Sequence, residues 1–186
     1  RRIFAEGNFS QAFVPVFSEV RERGDARELR LLLDHVAGAL AALVLLVSAL
    51  GVIFAPGIAA LFAPGALDEP EKFALTSEML RITFPYLFFI SLTALAAGVL
   101  NSYGRFAVPA VTPVLHNLCV IAAALWLAPR LQVPIKALAW GVFAAGVVQL
   151  AVQWVALARI GFVPRFRFNL RFEGVRRVFR LMGPMI

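Results

Sequence analysis

The sequence predicts an all-α fold, a polytopic transmembrane helix bundle. Two features of composition and one of pattern carry that expectation. Hydrophobic residues make up 61% of the chain and charged residues only 16%, against about 45–50% apolar in a soluble domain. The mean hydropathy is +0.82. Four stretches carry no formal charge, histidine aside: Val36–Leu67, Ile82–Gly104, Phe106–Pro129 and Ala137–Ala158. A helix crosses the hydrocarbon core with about 20 apolar residues, so each stretch supplies one crossing.

Taken in order, residues 1–14 read as the later part of a helix that ends near Pro15. Within it Arg2, Glu6 and Ser10 recur every fourth residue and share one helical face. Arg1 and Asn8 form a second polar edge. The first uncharged run is too long for one straight helix. Pro56-Gly57 and Pro64-Gly65 end the span near Ala55 and leave IAALFAPGA as an interfacial re-entry. Pro85 interrupts the second run, and Pro109 with Pro113 the third. These prolines are either sites of kinked packing or candidate hinges for alternating access.

His116 and Asn117 follow one turn later, and His116 is either a packed, hydrogen-bonded side chain or a proton relay. Gln149 and Gln153, four apart in the last run, suit interhelical hydrogen bonds. Trp154 suits an interfacial anchor. Beyond residue 160, Asn169 is a candidate N-cap. Phe172, Val175, Phe179 and Met182 then recur at helical spacing, with Arg171, Arg176 and Arg180 off that stripe. Such a basic amphipathic helix is expected to lie on a membrane surface, to attract anionic lipid along Arg165–Arg180, and to lead into a further span from Gly183-Pro184.

Orientation follows from parity. Residues 18–30, 101–109 and 159–180 share one face of the membrane, and 56–81 and 128–136 the other. The first set holds Arg21, Arg23, Arg27, Arg30, Arg105, Arg159 and the arginines of 165–180. The second holds only Lys72, Arg81, Arg130 and Lys136. The positive-inside rule makes the first set cytoplasmic. The net charge of +7 therefore reads as topology, and no nucleic-acid partner is expected. The helix ending near Pro15 runs inward, which puts Arg1 and Arg2 roughly 20 Å from Pro15, inside the hydrocarbon.

Charge within a membrane costs several kcal/mol and faces a bundle interior or a watery cavity. From the residues alone, two readings of the opening segment stand: a structural Arg2–Glu6 pair with interfacial anchoring, or a cationic lining for an anionic substrate, since guanidinium groups suit phosphates. Enzymatic signals are missing: there is no HExxH, GxSxG or Walker loop. His35 and His116 are too isolated to suggest a metal site, and the single Cys119 excludes an intramolecular disulfide. The opening does not read as a cleaved leader. Beginning on Arg and ending on GPMI inside an apolar pattern, the chain is expected to be an internal segment.

The opening RRIFAEGNFSQAFVP resembles the signature of the MurJ (MviN) lipid II flippases, R-R-[IL]-F-A-E-G-A-F-S-x-A-F-[VI]-P, with Asn8 in place of the usual alanine. The likeness continues collinearly through FALTSEMLRITFPY at 73–86, GVLNSYGRFAVPAVTPVLHN at 98–117, ALAWGVFAAGVVQL at 137–150 and the basic stretch ending in MGP at 182–184. The resemblance implies a two-lobe exporter fold of the multidrug/oligosaccharidyl-lipid/polysaccharide superfamily. Residues 1–160 would be a partial N-terminal lobe from the end of helix 2 through helix 6, 161–182 an inter-lobe linker, and 183–186 the start of helix 7.

It further implies a transporter in the bacterial inner membrane whose partner is lipid II, an undecaprenyl-diphosphate-linked disaccharide-pentapeptide, moved by alternating access. The family's required helix 2 arginine corresponds to Arg1, with Arg2, Glu6, Asn8 and Ser10 as neighbouring cavity candidates. No cofactor is implied. Coupling would be to membrane potential or an ion gradient, with any ion site outside this chain. The competing readings are a polysaccharide-lipid flippase of the same superfamily and a drug/cation antiporter. The latter would favour acidic cavity groups over the Arg1/Arg2 pair.

Overall fold

The computed structural model describes residues 5–167 and 173–182. Among them every regular element is helical. Eight α-helices follow in order: α1 (Ala5–Glu22), α2 (Ala26–Ile53), α3 (Ala55–Phe62), α4 (Pro70–Thr83), α5 (Tyr86–Ser102), α6 (Ala107–Ala122), α7 (Lys136–Arg159) and α8 (Glu173–Met182). Four continuous helical stretches are long and apolar enough to cross a membrane: α2, α4 with α5, α6 with its extension to Arg130, and α7. The predicted four-crossing bundle is the observed one.

Several boundaries differ from the sequence reading, each for a physical reason. The first helix runs through Pro15 to Glu22. A proline inside a helix removes one backbone hydrogen bond, and here Ala12, Phe13, Val16, Phe17 and Val20 form a buried stripe across it. Burying a large apolar side chain is worth about 1.5–3 kcal/mol, so packing outweighs the lost bond. α2 begins before its apolar run because Asp25 caps it, accepting the N–H groups of Arg27 and Glu28 at 2.9 and 3.0 Å. The proposed re-entry at 58–66 is a short helix, α3, with a 3₁₀ turn at Pro64–Ala66.

The second crossing starts at Pro70, not Ile82, and breaks at Phe84–Pro85. Pro109 lies in the first turn of α6, where a missing N–H costs no helical bond, while Pro113 lies inside. A π turn at Ala123–Leu127 and a 3₁₀ turn at Ala128–Arg130 continue α6.

The chain forms two compact units. One comprises residues 1–43, 91–111 and 150–186, the other 44–90 and 112–149. In the first, α1 packs on α5, with Phe13 against Gly98, where a Cβ would come within 3.3 Å of the ring. Phe17 lies edge-on to Tyr103, which stacks near Phe162 at 5.1 Å. Arg21 lies over the Tyr103 ring, 4.5 Å from its centre, and donates to the Ser102 carbonyl at the C-terminus of α5. Burial pushes the Tyr103 hydroxyl above its ordinary pKa, and Arg21 offsets part of that.

α5 and α7 end alike. Arg105 N–H reaches the Leu100 carbonyl and Phe162 N–H the Leu157 carbonyl, with Gly104 and Gly161 at positive φ between them.

In the second unit small residues let helices approach. Gly51 faces the Phe84 ring, Gly146 faces Tyr86 and Phe89, and Gly141 faces Ala123. Lys136 Nζ pairs with Glu78 at 2.6 Å.

α8 corrects one expectation. Its Val175 and Val178 are buried, each about 1% exposed, and the helix packs on α1. Val175, on the stripe expected to face a membrane, is therefore covered by protein. The candidate cap Asn169, with Phe172 and Arg171, lies outside the described residues.

Gly104 adopts a conformation that costs an L-residue about 1 kcal/mol. Gly104→Ala is expected to lower the unfolding free energy by about that amount, read from denaturant unfolding in detergent. An unchanged midpoint would show that the α5 C-terminus does not need the left-handed residue.

Candidate functional site

The sequence nominated α1 first. Arg1 and Arg2 lie outside the described residues, and for Glu6, Asn8 and Ser10 only the backbone is described, as part of α1. Helical register still places these positions. Positions 6 and 10 fall in line with Phe13 and Phe17, both fully buried, and position 8 in line with Pro15, which is exposed. The pair 6/10 and position 8 thus occupy opposite sides of one helix.

A polar cluster gathers at the proline breaks of the second unit. Gln149 of α7 is 1% exposed. Its Nε2 donates to the Thr112 carbonyl of α6 at 2.8 Å, one residue before Pro113. Its Oε1 accepts from the Tyr86 hydroxyl at 3.4 Å, one residue after Pro85. One amide therefore ties the helix that breaks at Pro85 to the helix that contains Pro113. The Tyr86 ring stands edge-on to His116 at 5.5 Å, and His116 Nδ1 is buried with no hydrogen-bond partner among the described residues. Reading the residues one at a time placed Gln149 in interhelical bonding and Pro85, Pro113 and His116 elsewhere. Their convergence has no signature in spacing, because three helices contribute.

A third set was missed. Asp34 of α2 is only 8% exposed. Its Oδ1 accepts the Arg165 N–H at 2.7 Å, its Oδ2 lies 3.8 Å from Arg167 Nε, and its carbonyl accepts the Arg167 N–H at 3.2 Å. One turn on, Gly38 has no side chain where the Arg167 backbone passes, and a Cβ there would overlap the carbonyl. The segment after α7 is thereby held along α2. The available signal was a lone acid at the mouth of an apolar run, facing an arginine-rich segment far along the chain.

α8 is held separately. Glu19 of α1 takes Arg177 at 2.7 Å and Arg23 at 2.5 Å. Exposed ion pairs of this kind contribute little to stability, less than the burial of Val175 and Val178, so the acid sets register more than strength. The Arg177 hydrogen bond holds the Glu19 carboxyl below its ordinary pKa.

These features define a class: a polytopic helical membrane protein with prolines at its helix breaks, a buried interhelical amide and an arginine-rich face. The family model described as lipid II flippase MurJ matches residues 1–186. The lipid II flippase MurJ of Burkholderia cenocepacia is 43% identical over 188 residues, covering 99% of this chain and 36% of that protein. The probable lipid II flippases MurJ of Haemophilus influenzae and Vibrio cholerae are 41% and 42% identical, each over 100% of this chain and 38% and 37% of their own lengths. The chain belongs to the MurJ lipid II flippase family, a family of membrane transporters. It spans just over a third of the length of these relatives.

Two outcomes are expected. Gln149→Leu removes both bonds at nearly constant volume and should cost about 1–2 kcal/mol of stability, read as a lower melting temperature; no shift would mean that the amide is dispensable. The lowered Glu19 pKa implies a contribution present above the ordinary glutamate value, about 4.3, and lost as pH falls through the lower folded value. Hydrogen exchange of α8 amides, corrected for intrinsic rates, should therefore speed up below that range in the wild type but not in Glu19→Gln. Equal profiles would remove Glu19 from the docking.

Proposed function

We propose that this chain is the greater part of the N-terminal lobe of a lipid II flippase of the bacterial inner membrane. Residues 1–160 supply the lobe, 161–182 the linker toward a second lobe, and 183–186 the start of the next helix. The observation that carries the reading is family membership over the whole chain, joined to the paired arginines Arg1 and Arg2 of the opening motif.

The chemistry follows from the cargo. A diphosphate cannot enter hydrocarbon without its hydration being replaced, and guanidinium groups in a water-filled cavity offer charge-assisted, bidentate replacement. Arg1 is assigned the direct contact and Asn8, on the same side by spacing, the surrounding wall, while Arg2, Glu6 and Ser10, which share the other side, are assigned to its gate. The lipid tail stays in the bilayer while the headgroup passes. Alternating access needs bendable helices and an affinity that differs between the two states. Pro85 and Pro113 are the hinge positions favoured here, because the Gln149 amide couples them; Pro109 is the weaker candidate, since it begins a helix. Transport needs no cofactor and draws on membrane potential or an ion gradient.

The test is complementation of a strain depleted of its own lipid II flippase by the full-length protein. Wild type should restore growth and Arg1→Ala should not, at equal membrane abundance. Rescue by Arg1→Ala would remove the cationic-site mechanism. Failure of wild type at normal abundance would move the cargo to another polyprenyl-linked saccharide.

A further inference from the structure

At the end of the first unit where α2 starts, the segment that follows α7 encloses a cavity of about 480 Å³, lined chiefly by Arg27, Arg30, Asp34, Phe162, Arg165 and Arg167. Four arginines and a single carboxylate, that of Asp34, belong to its lining. That carboxylate is already engaged by the Arg165 N–H and by Arg167. Among the described residues no acid pairs with Arg27, Arg30 or Arg165. Arg30 is held against the Phe162 ring, 5.9 Å from its centre.

Gathering unpaired cations around one opening costs free energy through repulsion, and an anion seated among them reverses that sign. The N-terminus of α2 adds nothing of its own, because Asp25 already accepts its first N–H groups. The attraction therefore comes from the side chains. Their planar forks suit the oxygens of a phosphate.

The surroundings select the source of that phosphate. Val163 on the cavity wall is 48% exposed and its neighbour Phe166 46%. Phe166 also stacks on Trp154 at 5.9 Å. Apolar and aromatic side chains left open beside arginines are the arrangement of a membrane interface, with acyl chains on one side and headgroups on the other. The topology puts this end of the unit at the cytoplasmic leaflet, where anionic lipids reside.

We propose that this cavity is a binding site for the phosphate of an anionic membrane lipid. Its oxygens bridge Arg30 of α2 and Arg165 of the following segment, with Arg27 and Arg167 completing the cationic wall. A lipid seated there reinforces the Asp34 latch by joining the same two chain segments. A belt of arginines serving topology alone would need charge but no particular geometry, and this separates the two roles.

The test uses the full-length protein in phosphatidylcholine nanodiscs doped with phosphatidylglycerol, with retained lipid counted by native mass spectrometry. Arg30→Lys with Arg165→Lys keeps every charge, and so the topology, but removes the forks. It should lower phosphatidylglycerol retention about tenfold, the effect of roughly 1.4 kcal/mol in binding. Arg176→Lys, exposed on α8 and outside the cavity, should leave retention unchanged. Equal retention in the double variant and the wild type would overturn the site. Excess inorganic phosphate that displaces the lipid and binds equally well in undoped nanodiscs would overturn the lipid assignment.

Discussion

A hydrocarbon slab about 30 Å thick accepts neither an unpaired backbone amide nor a bare charge, and the rest of this structure follows from that constraint. It forces the uncharged runs into helices. It pushes the arginines to one set of connections. It favours side-chain hydrogen bonds that stay within the bundle, as Gln149 makes to the Thr112 carbonyl beside Pro113. The Gln149 contacts lie beside both Pro85 and Pro113. In an alternating-access transporter, those are the places where bending is least costly.

At the arginine-rich ends of the helices the same constraint relaxes, and acids act as fasteners. Asp34 holds the segment leaving α7 against α2, and Glu19 receives α8 on α1. The two differ in kind. Asp34 is nearly buried and accepts a backbone amide, a charge-assisted bond worth about 1.5–3 kcal/mol, whereas the exposed Glu19 pairs yield less. The segment after α7 is thus fastened more strongly near its start than at α8.

How much of this was legible in the sequence depends on the range of the interaction. The four crossings are written locally, in uninterrupted apolar runs, and they correspond to the four span-length apolar helical stretches of the structure. Helix ends were less legible. Pro15 reads as a terminator until Phe13 and Phe17 are seen buried on either side of it, and Pro70 opens a helix that charge counting would begin at Ile82. Least legible were the contacts between distant segments. Asp34 and Arg165 lie 131 positions apart, and nothing in either neighbourhood names the other. Gln149 announced a hydrogen bond by its spacing from Gln153 but not that its partners would flank two prolines. The arginine pair that opens the sequence was legible as a motif, and its proposed role rests on that motif.

The central claim is that position 1 faces water inside the membrane and meets the diphosphate there. It is tested most directly by Arg1→Cys in a Cys119→Ser background of the full-length protein. If the claim holds, a membrane-impermeant maleimide labels position 1 in intact vesicles and added lipid II slows the labelling several-fold. Labelling confined to a lipid-soluble reagent, with no effect of lipid II, would place the residue against the bilayer and contradict it.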